Sequence, residues 1–83
     1  MPITNQEILS LLDFDSLSEA VRDRYTPFSP FSITKETRKG IKGFRTTDMR
    51  SMRSVRVSTK REATRVAKII EADFYDRRKD RAV

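Results

Sequence analysis

The residues in this chain with chemistry to offer are its cations. Between residues 28 and 61, ten Lys and Arg stand against only Glu36 and Asp48, a balance of +8. Residues 1–27 carry −3 and residues 62–83 carry +1, so nearly all of the net charge of +6 sits in the central segment. An asymmetry of this kind marks where an acidic partner is met. The candidate contacts are Arg38, Lys39, Lys42, Arg45, Arg50, Arg53, Arg56, Lys60 and Arg61, whose side chains neutralise phosphates or pair with carboxylates. Phe28, Phe31 and Phe44 are interleaved with them as candidate aromatic anchors, suited to stack on bases or to fill apolar gaps.

Catalytic machinery is not expected. The chain has no histidine and no cysteine, which removes the commonest general base, the thiolate nucleophile, disulfides and the usual metal ligands. Asp13-Phe14-Asp15 has the opening spacing of a calcium loop, but Leu17 stands where the third ligand belongs, and a solvated corner is expected instead. No catalytic residue, metal or cofactor is therefore assigned. With 83 residues, 36% of them apolar and 36% charged, the chain makes one small domain whose thin core leans on a partner. No apolar run approaches the roughly 20 residues that span a bilayer, and no basic leader is visible, so a soluble intracellular protein is expected.

Three segments have to position the cations. Residues 59–81 carry the one sustained helical period: Ala63, Val66, Ala67, Ile70 and Phe74 stack on one side, and Thr59 with Glu62 forms a capping box. Residues 1–26 read as a short acidic helical pair. Thr4 and Glu7 cap its first helix, with Ile8, Leu9, Leu11 and Leu12 as the apolar side, and Ser16 and Glu19 cap its second, which carries Leu17, Ala20 and Val21. Pro27 ends that run, and Pro27 to Ser32 is expected to be extended.

The segment 27–58 reads as an extended basic linker with little regular structure. Gly40-Ile41-Lys42-Gly43 has the spacing of the GxxG loop of KH-type RNA-binding domains, but the flanking sequence lacks their helical frame, so a flexible turn between two basic arms is expected. Thr46 or Thr47 is placed to cap a turn or two of helix bearing Met49 and Met52. Residues 54–58 alternate like a single strand with an exposed edge. Strand then helix resembles the ribbon-helix-helix DNA binders in order only, since one helix follows where that fold needs two. The expected fold class is thus mainly α, with a helical pair, a basic linker and one long helix, partly ordered only on a partner.

Two functions fit this pattern. The first is a non-enzymatic protein that contacts RNA or DNA through its central Arg/Lys segment as part of a nucleoprotein particle. The second is a structural adaptor or regulator that threads a basic arm across the acidic subunits of a protein assembly. Glu36 and Asp48 separate the two: phosphates leave them without partners, whereas a protein surface of mixed charge can pair them.

Overall fold

Thr4 opens the first helix, α1 (Asn5–Leu12), by accepting the Glu7 N–H on its side-chain oxygen at 3.1 Å, which satisfies one of the amides left free at a helix start. The computed structural model in which this cap is seen describes residues 3–16 and 29–81, residues 77–81 by backbone alone. Asp13 closes α1 in the left-handed region (φ 44°) and donates its N–H to the Leu9 carbonyl, and a single 3-10 turn follows at Phe14–Ser16. Of the four apolar positions expected on α1, Ile8 and Leu12 are buried, one turn apart, while Leu9 and Leu11 face solvent. The second helix of the expected pair, with its Leu17, Ala20 and Val21, lies outside the described residues, as does Phe28.

The expected linker is a sheet. Strands β1 (Phe31–Arg38), β2 (Ile41–Asp48) and β3 (Ser54–Val57) form an antiparallel meander in the order β1-β2-β3. The fold is therefore α+β, which corrects the mainly helical assignment and the basic linker of little regular structure. Strand 54–57 is not alone either: it pairs with β2, Phe44 opposite Val57 and Thr47 opposite Ser54. Lys39 (φ 52°) and Gly40 (φ 78°) close the β1–β2 hairpin, both in the left-handed region that a two-residue type I′ turn requires. The Gly40-Ile41-Lys42-Gly43 motif is thus half turn and half strand.

The helical turn expected after Thr46 is the five-residue loop 49–53 between β2 and β3. Asp48 and Arg53 close it, Asp48 donating its N–H to the Arg53 carbonyl at 2.8 Å. Asp48 Oδ1 accepts the Arg50 N–H at 2.9 Å, and the Asp48 carbonyl accepts the Met52 N–H at 2.8 Å, so the segment makes a single α-turn that is not continued as a helix. Met52 completes the reversal at φ 62°.

Helix α2 (Lys60–Arg81) follows β3 directly, with the Thr59 side chain accepting the Glu62 N–H at 3.2 Å. The Glu62 carboxylate does not fold back on its own cap; it accepts the Ile3 N–H and ties the start of the described chain to α2. Ala63, Val66, Ala67, Ile70 and Phe74 are all buried. They face one side of the sheet, where Val55, Val57, Ile33, Phe31 and Phe44 meet them together with Ile8, Leu12 and Phe14. The result is a two-layer domain with helices on one face of the sheet. Among the described residues, no helix is long and apolar enough to cross a membrane.

Candidate functional site

Strand pairing sorts the cations by face. On the side of the sheet away from α2, the register lines up Ser32, Thr34, Glu36 and Arg38 on β1, Ile41, Gly43, Arg45 and Thr47 on β2, and Ser54 and Arg56 on β3. Glu36 anchors this face. Arg45 grips it with two nitrogens, Nε at 2.8 Å and Nη2 at 3.0 Å, while its Nη1 donates to Ser54 Oγ at 2.7 Å. Arg56 crosses from β3 to donate Nε to Glu36 at 3.0 Å and Nη2 to the Ile41 carbonyl at 3.0 Å.

That crossing needs a glycine. A β-carbon on Gly43 would stand 2.9 Å from the Arg56 guanidinium carbon and 2.9 Å from the Val57 carbonyl oxygen. The hydrogen bonds and charge of Arg45, and after them those of Arg56, hold the Glu36 carboxyl down at about 2, against an ordinary value of 4.5. The Arg45 guanidinium is pushed up in return, chiefly by its hydrogen bonds to Glu36.

Arg50 is a core residue. It is 5% exposed, with Nη2 at 3.1 Å from Asp48 Oδ2 and 3.0 Å from Asp73 Oδ2 on α2. Its guanidinium carbon sits 5.3 Å from the centre of the Phe14 ring and 5.6 Å from that of Phe74. This one side chain joins the β2–β3 loop, the 3-10 turn and α2. Arg53 is exposed and reaches back to the same turn, 3.4 Å from Ser16 Oγ and 3.8 Å from Asp13.

Subtracting these leaves the exposed cations. Arg38, Lys39, Lys42, Lys60 and Arg61 are exposed and make no ion pair among the described residues, and Lys35, which the sequence reasoning did not single out, behaves likewise. Four of the six lie on one structure. β3 ends opposite Phe44, so the pairs Glu36–Gly43, Thr37–Lys42 and Arg38–Ile41 continue past it as a two-stranded overhang with Lys35 at its root. Three residue pairs at about 3.4 Å each project it roughly 10 Å, plus the turn.

Lys60 and Arg61 begin α2 three and four residues after Val57, at that root. A cleft of about 700 Å³ continues beside the first turns of α2, lined by Arg61, Arg65 and Lys68 with Thr59, Glu62 and Thr64. At the tip Ile41 is 65% exposed. The aromatic anchors take the other face: Phe31 and Phe44 are half-buried and pack on the core.

The site is therefore an electropositive projection. Among the described residues, no three carboxylates group as they would around a metal ion. Lys35 and Ile41 were missed because the hairpin that carries them turns at Lys-Gly, a weaker signal than Asn-Gly or Asp-Gly. No protein family, curated protein or solved structure matches this chain.

Proposed function

We propose that this protein is a soluble, intracellular, non-enzymatic nucleic-acid-binding module that grips phosphates with its β1–β2 overhang, acting within a larger nucleoprotein particle. One observation carries the reading: Lys35, Arg38, Lys39 and Lys42 project on a two-stranded ribbon with no carboxylate partner among the described residues. The carboxylate between them, Glu36, is neutralised by Arg45 and Arg56, so the ribbon offers a polyanion attraction without a repelling neighbour. Lys60 and Arg61 extend the same field at the ribbon's root. Backbone phosphates are the class of ligand that rewards several exposed cations at once, through counterion release.

The adaptor reading has its own support in the exposed Leu9 (47%), Leu11 (50%) and Met52 (66%), apolar surface that a protein partner would cover. The two part on one binding experiment. Fluorescence anisotropy with a labelled nucleic acid at low salt is expected to show binding by wild type, loss of it in the Lys39→Glu, Lys42→Glu double variant, and little change in the Leu9→Glu, Leu11→Glu double variant, which adds negative charge on the exposed side of α1 instead. Absence of any nucleic-acid binding by the wild type, or full binding by the ribbon variant, would overturn the proposal.

A further inference from the structure

The ribbon's dimensions and the chemistry of its tip narrow the nucleic acid further. Resting on the phosphate-binding reading above, we propose that the preferred ligand is B-form duplex DNA, entered by the β1–β2 overhang through the major groove, with Arg38 and Ile41 meeting base edges.

The fit is first one of size. Two strands about 4.8 Å apart with side chains on either side match a groove about 12 Å wide, and the overhang's reach of roughly 10 Å matches its depth of about 8.5 Å. The minor groove of undistorted B-DNA, about 6 Å wide, takes a ribbon only when the duplex is bent open, and the major groove of A-form RNA is too narrow and deep. Among the described residues no third strand flanks the overhang, because β3 ends at Val57 opposite Phe44.

Second, the tip carries base-edge chemistry. Arg38 and Ile41 are direct cross-strand partners on the face away from α2, next to the Lys39-Gly40 turn. A guanidinium is the group that reads guanine O6 and N7 together, and an aliphatic side chain meets the thymine methyl. Ile41 is otherwise unexplained, a β-branched apolar residue 65% exposed among four cations. Behind this pair Gly43 keeps the face low, with the Arg56 guanidinium lying across it to Glu36. Lys39 lies in the turn itself, and Lys42, with Lys35 at the root, stands on the opposite face of the ribbon from this pair, placed for phosphates of a groove wall.

Third, single strands are disfavoured. Binding of that kind rests on exposed aromatic platforms, and Phe44 at the ribbon's root, like Phe31 at the far end of β1, is turned into the core layer.

The test compares four labelled probes at one salt concentration: a mixed-sequence DNA duplex, the same duplex with every thymine replaced by uracil, the RNA duplex, and one DNA strand. The DNA duplex is expected to bind at least about tenfold more tightly than the RNA duplex or the single strand. Loss of the thymine methyls is expected to weaken wild type about fourfold, the effect of one buried methyl, and to leave Ile41→Ser unaffected. Ile41 is exposed, so this variant keeps the fold, which a thermal melt verifies. Equal binding of the four probes would overturn this inference and leave the nucleic-acid reading standing. A wild type that ignores the methyls would overturn the base-edge contact. Failure to bind any of the four would remove the reading on which both depend.

Discussion

Arg50→Ala tests whether the central arginines divide into those that hold the fold and those that face a partner. Asp48 is 0% exposed and Arg50 5%, so removing the guanidinium strands a buried carboxylate. Breaking a buried pair in this way costs about 3 to 5 kcal/mol, and the contacts with the Phe14 and Phe74 rings are lost besides. An 83-residue domain has roughly 4 to 12 kcal/mol in total, so the variant is expected to melt at least about 12 °C below wild type by circular dichroism. Arg38→Ala, an exposed residue with no ion pair among the described residues, is expected to stay within about 0.5 kcal/mol. Adding Asp48→Asn to Arg50→Ala removes the stranded charge while keeping an acceptor for the residue-50 N–H, and should recover part of the loss. An Arg50→Ala melt within about 2 °C of wild type would refute the assignment of Arg50 to the core.

Three further outcomes follow from the same geometry. The Glu36 carboxyl is held at about 2, below its ordinary 4.5, so its contribution to stability is complete above pH 4.5 and fades as pH falls towards 2; the gap between wild-type and Glu36→Gln melting temperatures should close across that window. Gly43→Ala forces its methyl against Arg56 and the Val57 carbonyl and should lower the urea midpoint by about 1 to 3 kcal/mol equivalent, with partial recovery in an Arg56→Ala background. Ile70→Ala, at a fully buried position of α2, should cost about 2 to 5 kcal/mol in the same assay.

Helix α2 was legible in the sequence because its apolar spacing and its burial coincide at Ala63, Val66, Ala67, Ile70 and Phe74. The sheet was not, and β2 shows why. Its inward row is Lys42, Phe44, Thr46 and Asp48, of which only Phe44 is apolar. Thr46 and Asp48 are nevertheless fully buried, because Thr46 Oγ1 donates to the Ala63 carbonyl and Asp48 accepts from Arg50. Alternation of polarity, the usual strand signal, is erased when buried positions are satisfied by hydrogen bonds from elsewhere in the fold. The hairpin turn was hidden similarly, with Lys39 at a positive φ where Asn or Asp would have announced it.

Charge behaved differently. The excess of cations between residues 28 and 61 was plain, but the exposed cations without ion pairs could not be told from those engaged inside the fold. Arg45 meets Glu36 across nine residues and Arg56 meets it across twenty, partnerships that exist only through strand register.

The most direct test of the ribbon's role is the salt dependence of its affinity for duplex DNA. Each phosphate neutralised adds about 0.9 to the slope of log K against log salt, so replacing Lys35, Arg38, Lys39 and Lys42 by alanine, which removes three phosphate contacts and one base contact, is expected to reduce the slope's magnitude by roughly 3. The melting temperature should hardly move, since all four side chains are exposed and without ion pairs among the described residues. An unchanged slope in a folded quadruple variant would contradict the assignment of phosphate binding to the overhang.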